Sequence, residues 1–160
     1  MKLKYLYLLC GPSGAGKSTW IQKRLEMTEG VWCSRDAIRF SMLEDNEDYF
    51  AHEEEVFETW ITQIKRALKS DTECIYVDAT HLSETARNKV LNRLDLNGVS
   101  IIPVSFEVSL ERCLNQNAKR VGRARVPEDV IRNMHKIYKA PSMDEKYEYI
   151  GIIKVGENDL

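Results

Sequence analysis

The chain has 160 residues, of which 43% are hydrophobic and 30% charged; this composition is typical of one compact domain and leaves no room for a second. Its net charge of −2 excludes nucleic-acid binding that depends on bulk positive charge. Its apolar runs fall far short of the roughly 20 residues that cross a bilayer. We therefore expect a single domain over residues 1–160, no membrane span and a cytoplasmic location.

Short runs rich in β-branched and aromatic residues alternate with amphipathic segments along the chain. We predict strands at Leu3–Cys10, Val31–Cys33, Glu73–Asp78, Ser100–Phe106 and Tyr149–Val155. We predict helices at Lys17–Met27, at Asp48–Lys69, from a Ser83 cap to about Leu96, from a Ser109 cap, and from Pro127 onward. The helix at Asp48–Lys69 carries an apolar stripe that includes Phe50 and Phe57. Such alternation is typical of an α/β fold in which helices cover both faces of a five-stranded parallel sheet.

A phosphate-binding loop follows the first predicted strand. Residues 11–18 read Gly-Pro-Ser-Gly-Ala-Gly-Lys-Ser and match the pattern GxxxxGK[ST] between a strand and a helix. Inward-pointing backbone N–H groups and a helix N-terminus suit an anion. We expect Lys17 to reach the β- and γ-phosphates of ATP and Ser18 to ligate Mg²⁺. The predicted ATP-binding residues of the loop are Gly11, Ser13, Gly14, Ala15, Gly16, Lys17, Ser18 and Thr19.

The loop alone does not establish a kinase, because such loops also serve GTPase switches, motors and regulatory modules. A guanine-specific GTPase would carry an NKxD element after a strand. Here Asn88-Lys89 is followed by Val90 and Leu91 within a predicted helix. The class therefore depends on residues outside the loop.

Asp36 and Arg39 are the candidate acceptor residues. They follow the second predicted strand, at the carboxyl edge of the sheet where ligands bind in open α/β folds. Helical spacing places them on one face. In a kinase, Asp36 would be the general base for an acceptor hydroxyl and Arg39 would hold an anionic part of the acceptor. The alternative is an N-cap at Asp36 with an ion pair to Arg39; we favour catalysis because phosphoryl transfer needs a group opposite the γ-phosphate.

Asp78 ends the third predicted strand and is followed by Ala79, Thr80 and His81. A carboxylate here can support Mg²⁺ or its water shell. An aspartate that merely stops the strand and starts a turn is the alternative. Because this loop lies at the same sheet edge as the phosphate-binding loop, we place Asp78 and Thr80 beside the substrate.

A basic segment separates two predicted helices near the end of the chain. It contains Lys119, Arg120, Arg123 and Arg125 around Gly122. Guanidinium groups suit the charge that spreads over a transferring phosphoryl group. A solvated charged loop is the ordinary alternative. We predict a closing lid over about 115–127, with Arg120 in catalysis and Arg123 at ATP.

Four segments carry a shared pattern: residues 11–20 with the phosphate-binding loop, Ser-Arg-Asp-Ala-Ile-Arg at 34–39, Val-Asp-Ala-Thr at 77–80, and 118–134 from Ala-Lys-Arg to Val-Pro-Glu-Asp-Val-Ile-Arg-Asn-Met. Together they resemble the kinase domain of bacteriophage polynucleotide 5′-kinases, over nearly the whole chain. The DxDGT motif of the phosphatase domain that often follows it is absent from this sequence.

The resemblance implies a P-loop kinase fold and transfer of the γ-phosphoryl group of ATP to the 5′-hydroxyl end of DNA or RNA. It implies Lys17 and Ser18 at the phosphates and metal, and Asp36 as general base. Arg39 would then contact a nucleic-acid phosphate, and Arg120 would act as the lid arginine. Two alternatives stay open: a kinase of a small-molecule hydroxyl on a nucleoside, sugar or antibiotic, and a regulatory NTP-binding module.

Overall fold

The computed structural model describes residues 3–160. Strands and helices alternate in the order β1 (Lys4–Cys10), α1 (Lys17–Met27), β2 (Val31–Ser34), α2 (Arg35–Met42), α3 (Glu53–Lys69), β3 (Cys74–Asp78), α4 (Glu84–Leu91), β4 (Val99–Phe106), α5 (Leu110–Ala118), α6 (Glu128–Ile137) and β5 (Ile153–Val155). Short 3₁₀ turns lie at Gly122–Ala124 and Glu157–Asp159. Among the described residues, no helix is long and apolar enough to span a membrane.

The five strands form one sheet in the order β2-β3-β1-β4-β5, and every pairing is parallel. β1 lies at the centre, where Tyr5 pairs with Cys74 on one side and with Ser100 on the other. All carboxyl ends of the strands therefore meet at one edge. The predicted five-stranded parallel sheet with helices on both faces is confirmed.

Alternation along β1 builds a hydrophobic core on each face of the sheet. Leu6 and Leu8 face a core that includes Trp60 of α3. Tyr7 and Leu9 face the other core, which includes Ile21 of α1 and residues of α5 and α6. Successive residues of a strand point to opposite faces, so a strand covered on both sides is apolar throughout.

The predicted long helix begins later than its apolar spacing suggested. Residues 48–52 form turns, and α3 starts at Glu53, where three consecutive glutamates favour the positive end of the helix dipole. Phe50, predicted to belong to the apolar stripe of this helix, is instead 63% exposed. The predicted start of this helix at Asp48 was therefore wrong, whereas the helix itself is present over Glu53–Lys69.

The bounds of one other helix and one strand also differ from those predicted. α4 ends at Leu91 rather than about Leu96, and Leu94 and Leu96 pack against the core from the following turn. β5 is limited to Ile153–Val155, whereas Tyr149 makes an isolated parallel bridge with Ile101. The predicted Ser83 and Ser109 caps are confirmed, since each side chain accepts a backbone N–H of the next helix.

Candidate active site

The phosphate-binding loop curls at the carboxyl end of the central strand. Gly14 and Gly16 have φ angles of 84° and 103°, a left-handed region that residues with a side chain rarely adopt. A Cβ at Gly14 would also overlap the carbonyl of Cys113. Gly11 donates its N–H to the carbonyl of Thr80 at 2.8 Å, which ties the loop to the segment after β3.

Lys17 folds over this loop. Its Nζ donates to the carbonyl oxygens of Gly11 at 2.7 Å and Pro12 at 2.9 Å. Burial lowers the pKa of Lys17, and the negative charge of Asp78 opposes that shift. A cation held by backbone oxygens beside a turn of N–H groups is suited to neutralise a bound phosphate.

Asp78 ends β3 beside the loop. Burial raises the pKa of its carboxyl, while Lys17 and a hydrogen bond from Trp32 lower it. The indole Nε1 of Trp32 donates to Asp78 Oδ2 at 2.8 Å, so the carboxylate is held from the neighbouring strand β2. Asp78 and the hydroxyl-bearing Ser18 line the same cavity. Oxygen ligands of this kind are the ones that Mg²⁺ prefers, with phosphates and water completing its shell.

Asp36 lies in the first turn of α2. Ser34 is the N-cap of this helix, because its hydroxyl accepts the N–H of Ala37 at 3.1 Å. The alternative N-cap role for Asp36 is therefore wrong. The side chain of Asp36 is 57% exposed and lines the cavity. Tyr49 donates its hydroxyl to Asp36 Oδ1 at 2.8 Å, and burial followed by the nearby Asp36 charge raises the pKa of Tyr49, so this donor stays protonated.

Arg39 lies beside Asp36 but is largely covered. Its side chain is 7% exposed and forms ion pairs with Asp36 and with Glu53. Arg35 donates to the same Glu53 oxygen at 3.1 Å. Glu53, Arg35 and Tyr49 all line the cavity, and sequence reasoning missed all three. For Glu53, the available signal was its position at the start of three consecutive glutamates.

The predicted lid contributes Lys119 and Arg120 to the cavity wall. Arg123 lies elsewhere, because its Nη2 donates to the carbonyl oxygens of Asp45 and Glu47 at 2.6 Å each. The structure thus places Arg120 in the cavity wall and joins Arg123 to the segment between α2 and α3. Arg123 is not among the residues lining the cavity.

These groups surround one cavity of about 580 Å³. Ser13, Gly14, Gly16, Lys17, Ser18, Thr19, Asp36, Arg39, Asp78, Thr80 and Arg120, all predicted site residues, line it. Gly11 and Ala15 are buried in the loop behind it. Six cationic side chains face three anionic ones: Lys17, Arg35, Arg39, Arg112, Lys119 and Arg120 against Asp36, Glu53 and Asp78. The excess of positive charge suits a polyanion.

A buried polar cluster holds the loop that follows β3. Arg87 is fully buried and makes a two-pronged ion pair with Glu145, at 3.0 Å and 2.7 Å. Arg87 also donates to the carbonyl of His81 at 2.9 Å. His81 has a φ of 42°, and burial lowers its pKa to about 3. His81 therefore stays neutral and supports the loop after β3 without lining the cavity.

The phosphate-binding loop follows the central strand of a parallel sheet, a carboxylate ends the neighbouring strand, and a basic segment contributes to the cavity wall. Together these features define a P-loop domain of the kinase type. Residues 6–141 match the AAA domain family AAA_33, and the chain belongs to that family. No curated protein sequence matches the chain.

Solved structures with the same fold include kinases of different substrates. A fungal RNA kinase superposes with a TM-score of 0.65 at 13% identity, over 96% of this chain and 75% of that one. A chain of the Pnkp1/Rnl/Hen1 RNA repair complex gives 0.71 at 19% identity, over 91% and 51%, so our chain spans about half of it. A gluconokinase from Sinorhizobium meliloti 1021 gives 0.59 at 16% identity, over 98% and 84%.

Proposed function

We propose that the protein is an ATP-dependent kinase that transfers the γ-phosphoryl group to the 5′-hydroxyl end of a polynucleotide. The observation that supports this most directly is that Lys17, Asp36 and Arg120 line one cavity. A donor-side cation, an acceptor-side carboxylate and a lid arginine are the groups that phosphoryl transfer requires. The proposed domain covers residues 1–160, with a lid over about 115–127.

Asp36 is the general base in this proposal. Its Oδ1 is held by the Tyr49 hydroxyl, and its exposure leaves the carboxylate accessible to an incoming hydroxyl. As the acceptor oxygen bonds to the γ-phosphorus, its proton passes to Asp36 and the bond from the γ-phosphorus to the bridging oxygen breaks, releasing ADP. Lys17 and Arg120 stabilise the negative charge that spreads over the transferring group.

Ser18 and Asp78 are the residues that would hold Mg²⁺, directly or through its water shell. A bound Mg²⁺ would neutralise phosphate charge and orient the donor. Trp32 keeps the Asp78 carboxylate in place for this role. The loop N–H groups and Lys17 bind the donor phosphates independently of the metal.

Arg39 is the proposed contact for an acceptor phosphate. Asp36 and Glu53 fix the orientation of its guanidinium, and a fixed fork of N–H groups favours a phosphate oxygen. A nucleoside 3′-phosphate or an oligonucleotide should therefore be a far better acceptor than a plain nucleoside. A charge-assisted contact is worth roughly 1.5 to 3 kcal/mol, so Arg39→Gln should lower kcat/KM for the phosphate-bearing acceptor by about ten- to a hundred-fold.

The test is transfer of labelled γ-phosphate from ATP to 5′-hydroxyl oligonucleotides, nucleosides, nucleoside 3′-phosphates and sugars. Arg93→Gln is the matched control, because Arg93 also forms an ion pair with a glutamate, Glu58, on the exposed surface. It should leave every rate unchanged. Lys17→Ala should abolish transfer to all acceptors with the fold intact.

A kinase of a small-molecule hydroxyl is the second candidate. The likeness to a gluconokinase favours it, as does the pairing of Arg39 with two carboxylates, which leaves fewer donors for a phosphate. Brisk transfer to a sugar or nucleoside with none to an oligonucleotide would replace the polynucleotide proposal with this one.

A further inference from the structure

Phe50 is an exposed aromatic ring within an otherwise polar part of the cavity. It is 63% exposed and lines the same cavity as Asp36. Single exposed apolar side chains are common on protein surfaces, and Met27 and Ile150 are exposed to a similar degree without lining the cavity. Phe50 differs from them because it lines the cavity and follows Tyr49, which hydrogen-bonds to the proposed base.

The ring of Phe50 is linked to that base through Tyr49. Tyr49 packs edge-on against it, with ring centroids 4.8 Å apart and an interplanar angle of 81°. Tyr49 in turn contacts the ring of Phe40, lies under the guanidinium of Arg39 at 4.4 Å, and donates its hydroxyl to Asp36. Tyr49 therefore contacts both the Phe50 ring and the Asp36 carboxylate.

We propose that Phe50 stacks on the nucleobase of the 5′-terminal nucleotide of the acceptor, an inference that rests on the proposed function. When the 5′-hydroxyl lies at Asp36, the planar group of the acceptor nearest to Asp36 is the base attached to the same sugar. Stacking on an aromatic ring accepts every base, because each has a π-face. Phe50 carries no hydrogen-bonding group and so cannot recognise the hydroxyls of a sugar, which need polar partners.

The proposal predicts that the enzyme distinguishes an end with a base from an end without one. Two 5′-hydroxyl oligonucleotides are compared, identical except that one begins with a tetrahydrofuran abasic residue. The unmodified enzyme should have a kcat/KM about five- to a hundred-fold higher for the intact end, with little difference among the four terminal bases. Phe50→Ala should reduce that preference to near unity by slowing only the intact end.

Phe50→Tyr should retain the preference, since it keeps the ring. Met27→Ala, a truncation at an exposed residue outside the cavity, should change neither rate. Loss of both rates in parallel in Phe50→Ala would overturn the proposal in favour of a packing role within the protein. A penalty that appears only when the second nucleotide is abasic would also overturn it.

These outcomes are separable from failure of the proposed function. Equal use of the intact and abasic ends by the unmodified enzyme overturns the stacking inference alone, because polynucleotide transfer still occurs. No transfer to either oligonucleotide overturns the proposed function, and the inference with it.

Discussion

Asp36→Asn removes the charge of the proposed base while keeping the shape of its side chain. The stability cost is small, because the Asp36 side chain is 57% exposed and its pair with Arg39 spans one helical turn. Arg39 is buried but keeps Glu53 as a second carboxylate partner, so the loss of the exposed Asp36 charge should cost about 0.2–1 kcal/mol, as for an exposed ion pair. The loss of a negative charge in the first turn of the helix should cost about 0.3–1 kcal/mol more. We therefore expect the free energy of unfolding to fall by about 1 kcal/mol.

The catalytic cost should be much larger. A positioned general base contributes about 10²- to 10⁴-fold, which corresponds to roughly 3–5 kcal/mol of barrier. Domains of this kind are stable by about 5–15 kcal/mol, so a loss of about 1 kcal/mol leaves nearly all molecules folded. Unfolding cannot account for a hundred-fold fall in kcat.

The assay combines urea unfolding with transfer of labelled phosphate by the same preparations. Ser83→Ala is the reference for a lost helix cap, since Ser83 accepts the N–H of Ala86 at 3.1 Å, as Ser34 does for Ala37. Ser83→Ala should cost about 0.5–2 kcal/mol of stability without loss of kcat. If Asp36→Asn keeps kcat within about three-fold, its role as a base is refuted.

Three further predictions concern the groups that hold the site. Trp32→Phe removes the hydrogen bond to Asp78, so the pKa of Asp78 should rise further, kcat/KM should fall about ten-fold or more and a Mg²⁺ titration should show a higher requirement; an unchanged titration would contradict this. Arg87→Met leaves Glu145 buried without its partner and should cost about 3–5 kcal/mol, with urea unfolding showing a smaller loss when Glu145→Leu is added. His81 has a pKa of about 3 when folded, below its ordinary value of about 6.5, so the unfolded chain binds the extra proton and stability falls as pH drops from about 6.5 toward 3. His81→Asn, which tolerates the positive φ of this position, should lose about 2 kcal/mol less between pH 7 and pH 5 in urea unfolding, and identical pH profiles would exclude His81 as the source.

The donor half of the site could be predicted because its residues are close in sequence. Glycines and Lys17 within eight positions specify the loop, and the apolar strand before it specifies its place in the sheet. The location of Asp36 and Asp78 at one cavity could be predicted. Asp36 follows one strand and Asp78 ends another, and parallel strands bring their carboxyl ends to one edge. Their supports, Tyr49 and Trp32, come from other segments and left no local signal.

The acceptor half depends on contacts that periodicity does not encode. Phe50 has helical spacing to Phe57, yet the chain turns at residues 48–52 and directs Phe50 to the cavity. Arg123 belongs to the same basic segment as Arg120, but its guanidinium donates to the backbone carbonyls of Asp45 and Glu47 and not into the cavity. In both cases, the position of a loop set by tertiary packing decided what the side chain contacts.

The strand order has a consequence for how the protein is made. β1 leaves the ribosome before its neighbours in the sheet, β3 and β4, because both follow it in the chain. Until Cys74–Asp78 has emerged, the apolar residues of β1 have no strand to pair with, and exposed unpaired strands promote aggregation. The phosphate-binding loop therefore cannot take its final shape on a nascent chain that ends before β3. Truncated products of this kind should be targets for chaperones and proteases and should have no partial activity.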